Sequence, residues 1–455
     1  MPNAADVLLT DATNPTRIRL VLTDSEQAWR ESLIESAQSW LDRQRFRAKP
    51  GQVAWLEDAE GPLVAVGWNG RDDLATLGGL PMTLPEGDYQ LLDAVTELQL
   101  LGWALGAYLF TRYKDPTRSP ARLALADNQP LDRIVNTAEA TSLTRDLINT
   151  AAQDMDPQNL AAEIEALART HNAECSVISG DALLDAGCGA IHAVGRAADA
   201  EPCLVDLLWG DRAHPKVTII GKGVTFDSGG LDLKPAQGMR LMKKDMGGAA
   251  TAIGLAHLIM AERLPVRLRL LIPAAENAVS GNAFRPGDVL HTHKGLTVEI
   301  DNTDAEGRLL LCDALSIASE DEPDLIVDYA TLTGSARSAV GSEIAAMFSN
   351  NDEIANGISE QAATNDDPVW RLPLHQDYNH MLDSKVADVV NSAASPFAGS
   401  ITAALFLERF VESTPWVHFD IMAFNTRNRP ARPEGGEAMA LRAVFQFLKA
   451  RYGDA

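Results

Sequence analysis

Short apolar runs alternate with helical patterns along the C-terminal part of the chain. The runs at 216–220, 266–272 and 325–329 are rich in Val, Ile and Leu and have the length of buried strands. Residues 247–262 and 306–319 are apolar on nearly every side, which is typical of helices packed against a sheet. This order predicts an α/β domain with a mostly parallel central sheet flanked by helices.

The N-terminal part carries its own set of elements. Alternation of apolar and polar positions predicts a strand at Arg17–Leu22, and helical spacing predicts a helix at Ser25–Gln44. Residues 53–66 have strand character interrupted at Gly61-Pro62, and the apolar segment Leu91–Tyr113 predicts a buried helix. We therefore expect a small α/β domain. The longest apolar run has eleven residues, whereas a membrane span needs roughly 20, so no membrane association is expected.

Prolines indicate a boundary between the two parts. Pro116, Pro120 and Pro130 lie in one stretch rich in helix breakers, and a helical pattern follows it. A chain of 455 residues is long enough for two or three domains. The predicted divisions are an N-terminal α/β domain over 1–125, a linker helix over 126–150 and a larger catalytic domain over 151–455.

Composition narrows the classes of partner. The chain has 39 basic and 63 acidic residues, a net charge of −24, which argues against nucleic acid and anionic membranes as partners. The four cysteines form no CxxC pair, so neither a disulfide framework nor a thiolate zinc site is predicted. The first residues lack the basic and apolar pattern of a signal peptide. We therefore expect a cytoplasmic protein.

Two segments combine glycines with charged residues beside predicted strands. The first, GKGVTFDSGG at 221–230, follows a strand and places Lys222 and Asp227 where ligands bind in α/β sheets. Asp245 lies at the start of the helix that follows. The second segment, DNTDAEGR at 301–308, holds Asp304 and Glu306, which point to the same side if the chain is extended.

Clustered carboxylates of this kind are the ligands that divalent ions such as Mg²⁺, Mn²⁺ or Zn²⁺ prefer. Four of them could bridge two ions in a hydrolytic arrangement. Taken alone, each segment is also compatible with a helix cap or a solvated loop. Spacing alone therefore leaves a metal hydrolase, including a two-metal phosphoesterase, as one hypothesis among several.

Longer motifs make the hypothesis specific. The chain resembles the leucyl aminopeptidase (cytosol aminopeptidase) family, and the resemblance covers roughly 145–420. Its most diagnostic match is NTDAEGRL at 302–309. The further matches, in chain order, are GKGVTFDSGGLDLKP, MKKDMGGAA, AEN, GNAFRPGD, ATLTG and AGSITAAL.

The resemblance implies a role for each matching residue. One metal ion would be held by Lys222, Asp227, Asp245 and Glu306, and a second by Asp227, Asp304 and Glu306. Lys234 would polarise the scissile carbonyl group. Arg308 would hold a bicarbonate that acts as general base. The positions that match the family's substrate pocket are Met242, Asn302, Thr331 and Gly334.

The physical chemistry of these residues is compatible with the implied roles. Lys222 can bind a metal only as the neutral amine, and burial beside a divalent ion opposes its ammonium form. Lys234 would remain charged and meet the oxyanion of the tetrahedral intermediate. The planar fork of Arg308 suits a bidentate anion.

The family resemblance also implies assembly and cofactors. We expect a homohexamer that releases N-terminal amino acids from peptides with two manganese or zinc ions per subunit. Two alternatives keep the same fold, a catalytically inactive scaffold and a DNA-binding regulator, and the charge of −24 disfavours the second. The chain departs from the family pattern at Met422, where a small residue is usual, and we hypothesise that Met422 reshapes the pocket for the N-terminal side chain.

Overall fold

The computed structural model describes residues 4–125 and 131–453. Residues 126–130, which include Pro130 and the start of the predicted linker, lie outside the described residues. The chain divides into two compact units. Unit 1 comprises Met1–Ser142 and Thr426–Glu434, and unit 2 comprises Leu143–Asn425 and Gly435–Ala455. The predicted domain limits at 125 and 150 stay a prediction.

Unit 1 contains a mostly parallel six-stranded sheet. Its strands are β1 (Leu8–Leu9), β2 (Thr16–Leu22), β3 (Val53–Asp58), β4 (Gly61–Trp68), β5 (Asp88–Leu91) and β6 (Arg122–Ala124). Their order across the sheet is β1-β6-β5-β2-β4-β3. The antiparallel pair is the hairpin of β3 and β4, and the other four pairs are parallel. The predicted strand Arg17–Leu22 is confirmed as β2.

The helices of unit 1 are shorter than the sequence predicts. They are α1 (Ala4–Val7), α2 (Glu26–Glu31), α3 (Glu35–Arg43), α4 (Ala75–Gly78), α5 (Leu80–Thr83) and α6 (Glu97–Gly106), with a 3-10 turn at Thr23–Ser25. The single helix predicted over Ser25–Gln44 is wrong. The Ser32 hydroxyl donates to the Trp29 carbonyl, and Ile34 has an extended conformation, so the helix stops and restarts.

Two further predictions for unit 1 need correction. The helix predicted over Leu91–Tyr113 is confirmed only as α6, because Leu91 ends a strand and a capping box between Thr96 and Gln99 fixes the helix start. The interruption predicted at Gly61-Pro62 lies two residues earlier, at Ala59 and Glu60, since Gly61 already begins β4.

The helix α7 (Leu131–Asn149) carries the chain from unit 1 into unit 2. It confirms the helical pattern that follows the breaker-rich stretch.

Unit 2 is built on a nine-stranded sheet. Its strands are β7 (Glu174–Ser179), β8 (Cys203–Trp209), β9 (Lys216–Gly221), β10 (Gly223–Asp227), β11 (Arg267–Asn277), β14 (Leu325–Ala330), β15 (Ala345–Ser349), β16 (Val369–Arg371) and β18 (Trp416–Asp420). Their order is β16-β15-β18-β14-β9-β11-β8-β7, and β10 pairs with β11. Five of the eight pairs are parallel, as the buried apolar runs predict.

Smaller sheets complete unit 2. One has three strands, β12 (Val289–His291), β13 (Thr297–Glu299) and β17 (Val389–Val390). The other pairs β19 (Phe424–Asn425) with β20 (Gly435–Gly436).

Helices cover the sheet of unit 2. They are α8 (Pro157–His171), α9 (Ala182–Asp185), α10 (Gly189–Gly195), α11 (Ala236–Met239), α12 (Gly247–Ala261), α13 (Gly307–Glu320), α14 (Gly334–Val340), α15 (Asp352–Thr364), α16 (Gly399–Glu408) and α17 (Leu441–Tyr452). Three 3-10 turns lie at Ala152–Asp154, Met242–Met246 and Gln376–Leu382. The all-round apolar patterns are confirmed as α12 and α13, which are buried along almost their whole length. Among the helices of the described residues, none is long and apolar enough to cross a membrane.

The parallel strands determine where loops meet. The carboxyl ends of β9, β10, β11, β14 and β18 lie along one edge of the nine-stranded sheet. Lys222 follows β9, Asp227 ends β10 and Thr331 follows β14. The second motif, with Asp304 and Glu306, lies between β13 of the three-stranded sheet and α13.

Candidate metal centre

A polar cavity of about 370 Å³ opens at this edge of the sheet. Ten of the eleven predicted site residues line it: Lys222, Asp227, Lys234, Met242, Asp245, Asn302, Asp304, Arg308, Thr331 and Gly334. The eleventh, Glu306, is 1% exposed and lies behind the wall against Lys222. The structure therefore brings the predicted residues together, and their chemical roles stay predictions.

Lys222 is the centre of the inner cluster. It follows β9 directly, and its Nζ lies 2.6 Å from Asp245 Oδ2 and 2.8 Å from Glu306 Oε1. Thr331, which follows β14, donates its hydroxyl to Asp245 Oδ1 over 2.7 Å. The three charged side chains are at most 3% exposed.

Lys234 is the centre of the outer cluster. Its Nζ lies 2.7 Å from Asp227 Oδ2 and also contacts Asp304 Oδ1. Asp304 is one-third exposed, whereas Asp227 is buried. Each of the two lysines thus contacts two carboxylates, and the four carboxylates come from three different segments of the chain.

Electrostatic interactions shift the pKa values of these groups. Burial alone would lower the pKa of Lys222, but the carboxylates of Asp245, Glu306 and Asp227 outweigh burial and raise it well above the ordinary value. The pKa of Lys234 is raised for the same reason, mainly by Asp227. Burial and the nearby Asp227 raise the pKa of Glu306. The surrounding carboxylates thus favour the ammonium form of both lysines, and Lys222 would lose its proton only to a bound cation.

The carboxylates fit a divalent cation. Ligand atoms of Asp227, Asp245 and Glu306 all lie within 4.8 Å of one another, and all three residues are buried. Within 4–125 and 131–453, Oε2 of Glu306 has no hydrogen-bond partner. A buried carboxylate oxygen without a donor is costly, and oxygen ligands of this kind suit Mn²⁺ or Zn²⁺. The donor set and the unpartnered oxygen both match a metal centre.

The loop that carries Asp304 and Glu306 forms a turn. The segment is not extended, because Asn302 Oδ1 accepts from the Asp304 N–H over 2.8 Å. Glu306 has helical backbone angles and immediately precedes α13. The two carboxylates reach the cluster because Asp304 leaves the turn and Glu306 enters the helix.

Asn391 shapes this loop and was missed by sequence reasoning. Its Oδ1 accepts from the backbone N–H groups of Asp301 and Asn302, and its Nδ2 donates to the Asn302 carbonyl over 2.7 Å. Its backbone carbonyl accepts from Arg308 Nη1 over 2.6 Å. Asn391 follows β17, so only the pairing of β13 with β17 brings it here.

Two more residues hold the metal-centre loops. Asn277 Nδ2 at the end of β11 donates to Asp227 Oδ1 over 2.9 Å. Asp420 at the end of β18 accepts from the backbone N–H groups of Leu332 and Thr333. Asn277 belongs to the AEN motif, and its position after a predicted strand was a usable signal for this role.

Arg308 and Met422 are the remaining residues with a predicted effect on the site. Burial lowers the pKa of Arg308 to about 10, and its Nε has no hydrogen-bond partner in the part of the chain that the structure describes. Met422 is not among the described residues that line the cavity. The hypothesis that it reshapes the pocket therefore has no support in this geometry.

Family comparisons agree with the geometry. The model described as the cytosol aminopeptidase family, catalytic domain, matches residues 142–445. A second model, the M17 aminopeptidase N-terminal domain, matches 16–126. The chain belongs to the cytosol aminopeptidase family. This is an enzyme family of metallo-exopeptidases.

Individual members of the cytosol aminopeptidase family are similar to the chain over most of its length. A probable cytosol aminopeptidase of Chlamydia caviae is 41% identical over 322 residues, which cover 69% of this chain and 64% of the relative. The match thus spans slightly less than two thirds of that relative's length. The crystal structure of a cytosol aminopeptidase from Coxiella burnetii is 45% identical, covers 98% of this chain and 100% of its own, and has a TM-score of 0.95.

A third similar protein is the bottromycin maturation enzyme BotP in complex with Mn. It is 33% identical, covers 97% of this chain and 100% of its own, and has a TM-score of 0.86.

Proposed function

We propose that this chain is a two-metal aminopeptidase that releases N-terminal amino acids from peptides. The observation that carries the proposal is the buried cluster of Asp227, Asp245 and Glu306, with an unpartnered carboxylate oxygen, beside a cavity lined by the family motifs. The ions would be held by Lys222, Asp227, Asp245, Asp304 and Glu306. Bound divalent ions at such a site supply Lewis-acid polarisation and lower the pKa of water.

Manganese and zinc are the candidate ions. The similar enzyme BotP forms a complex with Mn, and carboxylates with a neutral amine suit either ion. We extend manganese or zinc to this chain as part of the proposal.

The chain's own residues would orient and polarise the substrate. The Lys234 ammonium, held by Asp227, would donate to the carbonyl oxygen of the scissile bond, where negative charge develops. Four further residues would line the substrate pocket: Met242, Asn302, Thr331 and Gly334. Each of these residues borders the cavity that contains Lys234.

Arg308 would bind a bicarbonate that accepts a proton from the attacking water. Its Nε is buried without a partner among the described residues, and one Nη donates to Asn391. A guanidinium anchored at one nitrogen presents its remaining donors in a fixed direction.

The experiment is hydrolysis of leucine-4-nitroanilide and of its N-acetylated form after dialysis against a chelator. We expect cleavage of the free-amine substrate alone, and only after manganese or zinc is returned. Equal cleavage of both substrates would reject an aminopeptidase. Failure with every aminoacyl substrate would favour the inactive-scaffold alternative.

Assembly and location belong to the same proposal. We propose a homohexamer, for which light scattering should give a mass near six times 49.0 kDa; a monomer would reject it. A cytosolic location is proposed because Cys175, Cys188, Cys203 and Cys312 are free thiols.

A further inference from the structure

Two cationic side chains that the proposed reaction does not use line the same cavity. Lys244 lies in the 3-10 turn before α12 and is 2% exposed. Arg337 lies on α14, one turn after Gly334, and its guanidinium folds back toward that glycine. Both residues face the space that Met242 and Gly334 border.

Within 4–125 and 131–453, Arg337 has no counter-charge. Among the described residues its side chain makes no hydrogen bond or ion pair, and its Nη1 is buried without a partner. Lys244 has one weak partner, Asp245 Oδ1 at 3.6 Å, but Asp245 is already bound by Lys222 and Thr331. A buried guanidinium nitrogen without an acceptor is costly unless a ligand supplies one.

The acidic residues of the cavity wall do not neutralise Arg337 and Lys244. The acidic residues of the wall are Asp227, Asp245 and Asp304. Lys222 and Lys234 already contact all three. The cavity thus carries excess positive charge within a chain whose net charge is −24.

We propose that Arg337, with Lys244 beside it, binds a carboxylate of the peptide substrate. The inference rests on the proposed aminopeptidase function and names its substrate class: short peptides with a carboxylate close to the scissile bond. A guanidinium binds a carboxylate through two parallel N–H···O bonds, which gives both affinity and orientation. An isosteric amide offers only one acceptor oxygen and no charge.

Such a carboxylate has three sources. It is the side chain of an N-terminal acidic residue, the side chain of an acidic second residue, or the free carboxyl terminus of a dipeptide. Three matched pairs of substrates separate them: Glu- and Gln-4-nitroanilide, Leu-Asp-amide and Leu-Asn-amide, and Leu-Gly and Leu-Gly-amide. The ratio of kcat/KM within each pair isolates the charge.

The test compares these ratios for the metal-loaded wild type, Arg337→Gln and Arg337→Lys. We expect the wild type to prefer the carboxylate in at least one pair, and Arg337→Gln to reduce that ratio about tenfold or more, as for a lost charge-assisted hydrogen bond. Arg337→Lys should retain part of the preference. A general structural defect cancels in the ratio. Arg212→Gln is the matched control, because Arg212 is exposed and does not line the cavity.

The outcomes are distinguishable. The pair whose ratio changes identifies the source of the carboxylate. If leucine substrates are cleaved but Arg337→Gln leaves all three ratios unchanged, the inference is wrong and the aminopeptidase proposal stands. If the wild type cleaves no aminoacyl or dipeptide substrate, the proposed function fails first.

Discussion

The Lys222 side chain is tightly enclosed, and it lies against Gly307, the first residue of α13. A Cβ added at Gly307 would lie 2.7 Å from the Lys222 Nζ and even closer to the end of its carbon chain. Because Glu306 and Arg308 flank Gly307, the same short segment supplies a carboxylate, a guanidinium and the space for the lysine. Gly307 is therefore required because the Lys222 side chain occupies the space that a Cβ would need.

We predict that Gly307→Ala displaces the Lys222 amine while the protein still folds. The flexible lysine end can move, so the free energy of unfolding should change by no more than about 1 kcal/mol. Activity on leucine-4-nitroanilide should fall about 100-fold, as displacements near 1 Å at a reactive centre can cause. Kinetics and urea denaturation measure the two effects.

Gly281→Ala is the matched control for this substitution, because a Cβ there meets nothing within 4 Å. It should change neither quantity. Undiminished activity of Gly307→Ala would show that the position of Lys222 is not critical.

At the scale of elements, the loop from β13 to α13 depends on a residue outside it. Asn391 uses its amide oxygen for two backbone N–H groups and its amide nitrogen for the carbonyls of Asn302 and Ala305. This pattern needs a donor and an acceptor on one side chain. The loop conformation that presents Asp304 and Glu306 thus depends on the Asn391 amide as well as on the turn closed by Asn302.

Asn391→Asp should destabilise the protein and slow the reaction. A carboxylate oxygen would face two carbonyl oxygens, and the lost donors leave buried acceptors, which costs about 1–3 kcal/mol for each unsatisfied group. We expect a lower free energy of unfolding in urea and a lower kcat. Asn69→Asp is the control, because exposed Asn69 uses its oxygen as an acceptor and an aspartate keeps that bond. Equal stability of both variants would contradict the role of Asn391.

A second element-scale prediction concerns the contact of α8 with α12. His171 Nε2 and His257 Nδ1 are 3.0 Å apart. Burial lowers the pKa of His257 to about 4. The unfolded chain therefore binds a proton at a higher pH than the folded one, and stability is lost as pH falls from 6.5 toward 4.

His257→Gln should reduce the loss of stability between pH 7 and pH 5 by about 2 kcal/mol, the difference expected from these two pKa values. Urea denaturation at both pH values gives the loss for each variant. His375→Gln, at a half-exposed histidine, should leave the wild-type loss unchanged. An identical pH dependence for His257→Gln and the wild type would contradict the assignment.

Sequence reasoning succeeded where the signal was local. The buried runs that form β9 and β14 and the apolar helices α12 and α13 were predicted from their own residues, and the motif loops follow those elements. The prediction from sequence failed where residues distant in the chain determine the conformation of a loop. Asn391 acts on a loop some 85 positions earlier through the pairing of β17. The break within Ser25–Gln44 was missed for a different reason, since hydrophobic spacing does not show the local bond from the Ser32 hydroxyl to the Trp29 carbonyl or the extended conformation of Ile34.

At the scale of the whole molecule, charge is distributed unevenly. The chain carries a net −24, yet five basic and three acidic side chains line the cavity. The net charge argues against a basic surface that binds nucleic acid. Composition alone, however, does not reveal a local excess of positive charge. The five basic side chains come from separate loops, turns and helices, and only the fold places them in one cavity.

The most direct test of the proposed function is metal dependence with a metal count. The purified protein is dialysed against a chelator, reloaded with manganese or zinc, and assayed with leucine-4-nitroanilide and N-acetyl-leucine-4-nitroanilide, and bound metal is measured by mass spectrometry. We predict two ions per chain and cleavage of the free-amine substrate that disappears and returns with them. Cleavage that persists without metal, or a fully loaded protein that cleaves no aminoacyl substrate, would contradict a two-metal aminopeptidase.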